Sequence, residues 1–179
     1  MKHKSTLYIT RAAVIAALYA VITIAQNILF PDSASAAVQF RVSETLCILA
    51  VFTPVAIPGL TLGCILANLS SLPLLGPLDM IFGSAASCLA AVSMYALRRV
   101  RWFGLPVLSA LMPALFNGLI VGFEIAFFLT DGGFTLPAYL AAAGFVALGE
   151  LAVLLVLGLP FAKLTEAARL DVRLFGVKK

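Results

Sequence analysis

The sequence predicts an all-α membrane protein, a bundle of six transmembrane helices with both termini in the cytoplasm. Hydrophobic residues make up 63% of the 179-residue chain and charged residues only 11%, whereas soluble domains have about 45–50% and about 25%. The mean hydropathy is +1.11. Because six spans of about 20 residues use nearly the whole length, residues 1–179 are predicted to form a single integral membrane domain.

Apolar runs separated by Gly- and Pro-rich breaks define the predicted helices, since helices tend to end where those residues accumulate. The six segments are 7–30, 42–57, 58–75, 78–97, 105–129 and 137–162. The apolar run at 12–30 exceeds the core of about 7–15 residues in a secretory signal peptide, so it is predicted to be a retained helix. The second and third segments, which flank Pro54, Pro58 and Gly59, are short for straight spans, and a re-entrant hairpin is the alternative.

The basic residues predict the orientation, because Lys and Arg collect on the cytoplasmic side of membrane proteins. Eleven of the twelve fall on one side of the six-segment topology: Lys2, Lys4, Arg11, Arg98, Arg99, Arg101, Lys163, Arg169, Arg173, Lys178 and Lys179. Only Arg41 falls on the other side. Both termini are therefore predicted to be cytoplasmic, and topology explains the net charge of +4 better than nucleic-acid binding does.

Several kinds of chemistry are excluded by the motifs that the sequence lacks. There is no P-loop, no H-E-x-x-H and no paired C-x-x-C motif, so neither ATP binding through a P-loop nor a zinc site is predicted. The single histidine, His3, lies in the N-terminal tail, and no cofactor is predicted in this chain. The odd set of Cys47, Cys64 and Cys88 lies in apolar segments, which argues against a disulfide framework.

Polar residues within or beside the apolar segments are the candidate substrate-binding residues. A charged side chain at the bilayer centre costs about 2.5–3.5 kcal/mol, so such residues need a reason to be there. The candidates are Gln39, Arg41, Glu44, Asn68, Asp79, Asn117, Glu124 and Glu150. Asn117 and Glu150 are predicted to form the inner end of a pocket, and the other six lie in the outer half. Asn117 and Glu124, seven residues apart, share a helix face, with Glu124 about 10 Å further out.

Carboxylates outnumber basic residues in this set, which predicts an outward-opening pocket for a cationic or hydrogen-bond-donating solute. The alternative is a structural network, with Arg41 paired to Glu44 and amides bonded across helices. Arg41 is also consistent with a topology or lipid head-group residue. In the first segment, Ala12, Ala16 and Ala20 form a small-residue face suited to close packing by a partner helix, for which internal packing is the alternative.

Five sequence blocks together resemble the QueT family. They are VQFRVSE at 38–44, TPVAIPGLTLGC at 53–64, LANL at 66–69, LDMIFGS at 78–84 and FNGLIVGFE at 116–124. The resemblance extends from about Arg11 to the sixth segment. Members of this family are substrate-binding S components of energy-coupling factor (ECF) transporters, assigned to the uptake of queuosine precursors.

The resemblance implies a six-helix S component in a prokaryotic plasma membrane, which captures a deazaguanine-type base outside and rotates to deliver it inside. It implies three partners, a transmembrane coupling protein and two ATPase subunits that use the ATP. The Ala12, Ala16 and Ala20 face would pack against the coupling protein, and the first loop, about 31–38, would act as a gate.

Other functions remain open at this point. One is an S component for another small nutrient, such as a vitamin or an aromatic amino acid. A second is an intramembrane enzyme that uses Glu44, Glu124 and Glu150 as acid and base, although no nucleophile or metal site accompanies them. A third is a purely structural assembly subunit.

Overall fold

The computed structural model describes residues 2–31, 40–70, 72, 77–130 and 132–176. Within these residues the chain is helical, and the only β feature is an isolated bridge between Trp102 and Leu105. The elements in chain order are α1 (Lys2–Leu29), a 3-10 helix (Val42–Val51), α2 (Ala56–Asn68), α3 (Pro77–Ala96), α4 (Val107–Ala110), α5 (Met112–Glu124), a π-helical turn (Ile125–Leu129), α6 (Leu136–Val153), a second π-helical turn (Leu154–Gly158), α7 (Leu159–Ala167) and α8 (Leu170–Phe175).

In the part of the chain that the structure describes, four helices are long and apolar enough to cross a membrane: Ser5–Leu29, Pro77–Ala96, Val107–Leu129 and Leu136–Ala167. The all-α, multi-pass membrane character predicted from composition is therefore confirmed. The other two predicted spans are represented by shorter apolar helices. The 13 residues of α2 rise only about 20 Å, less than the hydrocarbon core of about 30 Å. The count of six spans therefore stays a prediction.

The break between the second and third segments lies earlier than the sequence predicts. The 3-10 helix ends at Val51, and α2 already begins at Ala56. Pro58 lies in the first turn of α2, where a proline is tolerated because its missing N–H would have no helical acceptor. The predicted boundary at 57/58 is thus inside a helix, and the chain turns at 53–55 instead.

Two pairs of helices pack closely because glycines lie at the contacts between them. A Cβ atom on Gly63 of α2 would lie 2.8 Å from the Tyr19 Cβ of α1. On α5, a Cβ atom on Gly122 would lie 2.6 Å from the Ala143 Cα of α6. Distances this short leave no room for a side chain, so glycine permits the approach of α2 to α1 and of α5 to α6.

The small-residue face of α1 lies inside the bundle. Ala12, Ala16 and Ala20 are 7%, 4% and 6% exposed. Ideal Cβ atoms on Gly59 and Gly63 would meet the carbonyl oxygens of Ala12 and Ala16 at 2.9 and 3.0 Å. Since α2 already packs along this face, the structure favours the internal-packing alternative, and the docking of a partner there stays a prediction.

The start of α1 and the C-terminal helix α8 lie at the same end of the bundle. Thr10 and Arg11 share a cavity of about 370 Å³ with Leu174 and Phe175. Phe175 also lines a second cavity beside the loop between α3 and α4. The basic N-terminal region, this loop and the C-terminal helix therefore meet at one end, which we call the basic end.

Candidate functional site

Seven of the eight predicted site residues are described, and all seven are buried. They are Arg41, Glu44, Asn68, Asp79, Asn117, Glu124 and Glu150, none more than 5% exposed. The eighth, Gln39, lies outside the described residues, as does most of the predicted gate at 31–38. The expected opening toward the outside is not visible among the described residues, since these side chains form a closed polar cluster.

Glu44 is held by one neighbour on α1 and one on its own helix. The Tyr19 hydroxyl donates to Glu44 Oε1, and the Cys47 thiol donates to Glu44 Oε2 at 2.8 Å. Side chains three residues apart eclipse each other in a 3-10 helix, which places Cys47 directly over Glu44. Neither partner was predicted, because tyrosine and cysteine do not interrupt an apolar run.

A polar face of α1 fixes the backbone on both sides of Arg41. Thr23 Oγ1 and Ser43 Oγ lie 2.6 Å apart. The Gln26 amide accepts from the Val42 N–H at 2.9 Å and donates to the Phe40 carbonyl. Tyr19, Thr23 and Gln26 recur at spacings of four and three, which puts them on one helix face. That spacing is a signal in the sequence that our prediction did not use.

Arg41 lies at the centre of the cluster. Its Nη1 atom is 3.8 Å from the Cys64 sulfur, and its charge acts on four surrounding carboxylates, those of Glu44, Asp79, Glu124 and Glu150. The carboxylates come from the 3-10 helix, α3, α5 and α6, so the structure brings together groups that are far apart in the sequence. Within the described part of the cluster, negative groups outnumber the single guanidinium.

Asn68 joins α2 to the start of α3. Its side-chain amide donates to the Asp79 carbonyl oxygen at 2.8 Å and lies 3.7 Å from the Cys64 sulfur. The neighbouring turn of α3 carries Gly83, where a Cβ atom would lie 2.8 Å from Asn68 Nδ2. Gly83 is therefore a site residue that sequence reasoning missed, because it makes room for the amide.

The α5 and α6 side of the cluster contains carboxylate oxygens without partners. Asn117 Nδ2 donates to Glu150 Oε1 at 3.0 Å. Among the described residues, Glu150 Oε2 and both Glu124 oxygens have no hydrogen-bond partner. Glu124 is only 1% exposed. It is followed directly by the π-helical turn Ile125–Leu129, a feature often found at functional sites.

An aromatic cluster surrounds Phe123, the residue before Glu124 in the chain. Phe123 lies within 6.4 Å of the Phe82 ring of α3 and stacks on Phe127 at 5.4 Å, measured between ring centroids. Phe134 lies 5.8 Å from Phe123, across the turn into α6. Phe123, Phe127 and Phe134 are 36%, 50% and 45% exposed, whereas Glu124 is buried. A buried carboxylate without a partner favours a positively charged or N–H-donating group beside it.

A family comparison identifies the chain. The family model described as QueT transporter matches residues 9–167. The chain belongs to the QueT transporter family. Comparison with curated proteins and comparison with solved structures found no match.

Family membership confirms the resemblance that the sequence blocks indicate and identifies this QueT protein as a membrane transport protein. All seven buried residues of the polar cluster lie inside the matched range. The three cysteines of the QueT chain are free, as their apolar surroundings predict.

Proposed function

We propose that this QueT protein is the substrate-capture (S) component of an ATP-driven ECF importer and that its polar cluster binds a queuosine precursor. The observation that carries the proposal is Glu124, whose two carboxylate oxygens are buried without a hydrogen-bond partner among the described residues. Leaving such a group unpaired is costly. A solute that supplies the missing donors regains that energy on binding.

A deazaguanine-type base with an aminomethyl group matches the chemistry of the cluster. Its ammonium group and its guanine-like N–H edge supply several donors, and charge-assisted bonds to carboxylates are each worth about 1.5–3 kcal/mol. Glu124 and the free oxygen of Glu150 are the proposed acceptors. Asn117 orients Glu150 by its hydrogen bond at 3.0 Å, so both affinity and selectivity would depend on this pair.

The proposed partners are a transmembrane coupling protein and two ATPase subunits in a prokaryotic plasma membrane. The sequence supports separate ATPases, since it contains no P-loop motif. The collection of basic residues at the basic end supports a cytoplasmic location for both termini. Because Ala12 and Ala16 are covered by α2, the proposed docking residues are the exposed alanines beside them, Ala13 and Ala17.

The binding site is tested with Glu124→Gln and Glu150→Gln in purified full-length protein without the ATPases. Glutamine keeps the size but removes the charge, so we expect the affinity for the aminomethyl-deazaguanine base to fall by at least about tenfold in each variant. Glu166→Gln is the matched control, because Glu166 is partly exposed and pairs with Arg101 at the basic end. Unchanged affinity in both test variants would remove these residues from the site.

The stability of the same variants gives an independent readout. Removing a buried carboxylate that has no partner relieves its desolvation cost, so Glu124→Gln is expected to raise the unfolding temperature of the ligand-free protein. Mass spectrometry of the solute that co-purifies with the wild-type chain identifies the ligand class. A vitamin or an aromatic amino acid in its place would overturn the queuosine assignment and leave the transport architecture intact.

A further inference from the structure

The basic end of the bundle contains a cavity that substrate capture does not use. Its volume is about 610 Å³, and the residues that line it include Tyr95, Arg98, Arg99, Arg101, Glu166 and Asp171. The 20 residues of α3 rise about 30 Å, one bilayer thickness, from the Asp79 end of the polar cluster to the loop that carries these arginines. The cavity therefore lies at the level of the lipid head groups on that side.

Two of the three arginines in this cavity, Arg98 and Arg101, are held in defined positions. Arg98 lies over the Tyr95 ring, 3.9 Å from its centroid, and donates to the Tyr95 carbonyl oxygen at 2.6 Å. Arg101 bonds Glu166 at 2.7 Å and the Arg98 carbonyl oxygen at 3.3 Å. Among the described residues, the Arg99 side chain has neither an ion pair nor a hydrogen bond. Three guanidinium groups against two carboxylates leave one positive charge.

The adjoining turn presents aromatic side chains beside these arginines. The backbone N–H of Trp102 donates to the Leu105 carbonyl oxygen at 2.9 Å, and the N–H of Leu105 donates to the Trp102 carbonyl oxygen at 3.0 Å. Phe103 and Gly104 between them have φ angles of +51° and +76°, which is strained for a bulky residue such as phenylalanine. In this turn Trp102 is 66% exposed and Phe103 is 90% exposed, and their two rings stack with 5.8 Å between the centroids.

Exposed aromatic rings beside arginines are typical of the interface between membrane and water. We propose that the cavity binds the phosphate of an anionic lipid head group, with Trp102 and Phe103 inserted at the interface beside it. One phosphate neutralises the excess charge of the lining. Asp171, which is 4% exposed, has a side-chain oxygen without a hydrogen-bond partner among the described residues. A head group with hydroxyl donors, such as phosphatidylglycerol, suits it.

The single tryptophan of the chain, Trp102, makes the proposal directly measurable. The full-length protein is reconstituted in phosphatidylcholine vesicles that contain a minor fraction of brominated phosphatidylglycerol or of brominated phosphatidylcholine. Bromine quenches Trp102 fluorescence on contact. We expect phosphatidylglycerol to be enriched at Trp102 by at least about tenfold, since each basic residue near the surface adds to the attraction. Equal quenching by the two lipids would overturn the proposal.

Two double variants separate a built site from general surface charge. Arg98→Gln with Arg99→Gln is expected to abolish the enrichment. Lys163→Gln with Arg173→Gln removes the same amount of positive charge outside this cavity, and this variant is expected to keep the enrichment of phosphatidylglycerol at Trp102. If both double variants lost the enrichment equally, the proposal of a specific lipid site in this cavity would be overturned. Inorganic phosphate at millimolar concentration is expected to leave the quenching unchanged, and displacement of the lipid by phosphate would assign the cavity to a free anion instead.

Discussion

The Tyr19 hydroxyl donates a hydrogen bond to the Glu44 carboxylate inside the bundle, joining α1 to the 3-10 helix. Both side chains are 0% exposed. Tyr19 and Cys47 therefore supply the hydrogen-bond donors to a carboxylate that is buried from water. The contact links α1 to the 3-10 helix, which carries Glu44 and directly follows Arg41, so the position of the site depends on α1.

Tyr19→Phe removes this hydrogen bond and keeps the ring. Because it leaves a buried carboxylate oxygen without a donor, we expect the free energy of unfolding to fall by about 1–3 kcal/mol. The measurement is thermal unfolding of the detergent-solubilised protein. Tyr8→Phe, on the exposed part of α1, is the control and should change stability by less than about 0.5 kcal/mol. Equal effects of the two variants would show that the contact contributes nothing.

Gly83→Ala tests whether the amide of Asn68 belongs to the binding site. The new Cβ atom would lie 2.8 Å from Asn68 Nδ2 and 3.6 Å from Asp79 Oδ1, so the amide must move away from the Asp79 carbonyl. We expect weaker binding of the aminomethyl-deazaguanine base, by about tenfold, since one hydrogen bond is lost or misaligned.

Ser84→Ala on the same turn is the control for Gly83→Ala. The Ser84 hydroxyl bonds only its own helix, at the Ile81 carbonyl oxygen, among the contacts described. Binding is measured by isothermal titration of the purified protein. If Gly83→Ala binds as tightly as Ser84→Ala does, Asn68 plays no part in the site.

Gly122→Ala tests the close packing of α5 against α6. Its Cβ atom would lie 2.6 Å from the Ala143 Cα and 2.8 Å from the Ala143 nitrogen, both backbone atoms that cannot rotate away. We expect a loss of about 1–3 kcal/mol or more in the free energy of unfolding. Since α5 and α6 carry Glu124 and Glu150, ligand affinity should fall as well.

Gly144→Ala, one residue beyond Ala143, is a matched control for Gly122→Ala. No atom lies within 4 Å of a Cβ atom at this position, and alanine is the better helix former by about 1 kcal/mol. We expect unchanged or slightly raised stability in thermal unfolding. A loss at residue 144 as large as that at residue 122 would contradict the packing argument.

The long helices were predictable from the sequence because hydropathy alone defines them. The predicted segment 78–97 corresponds to Pro77–Ala96, and 105–129 contains Val107–Leu129. The 3-10 helix was not predictable, since ten residues hold too few turns to separate a period of 3.0 from one of 3.6. Pro58 misled the boundary because a proline breaks a helix interior but not its first turn.

The site was predictable in its charged members and not in their partners. Glu44, Glu124 and Glu150 are conspicuous in apolar segments because they are costly there. Tyr19 and Cys64 are not, since both residue types are common in apolar helices and only the fold shows which polar group they meet. The spacing of Tyr19, Thr23 and Gln26 indicates a polar face on α1, but it does not show which groups that face meets.

The inward face of α1 was ambiguous for a related reason. Alanines occur on both of its faces, so their spacing cannot say which face is covered. The glycine pairs resolve it: Gly59 and Gly63 are four residues apart on α2, a spacing that permits close helix contact, and they meet the turns of Ala12 and Ala16.

Substitutions at Ala16 and Ala17 separate internal packing from partner docking on α1. Ala16 is 4% exposed, and its carbonyl oxygen and Cα lie 3.0 and 3.1 Å from an ideal Cβ on Gly63. Ala16→Leu overpacks this contact and is expected to cost about 1–3 kcal/mol in the free energy of unfolding.

Ala17 lies on the exposed face, so Ala17→Leu should change the stability of the isolated protein by less than about 0.5 kcal/mol. Thermal unfolding in detergent distinguishes the two, and equal unfolding temperatures would contradict the placement of α2 on α1. Co-purification with the coupling protein then tests the proposed docking face, since a leucine at residue 17 should weaken assembly while the chain itself stays folded.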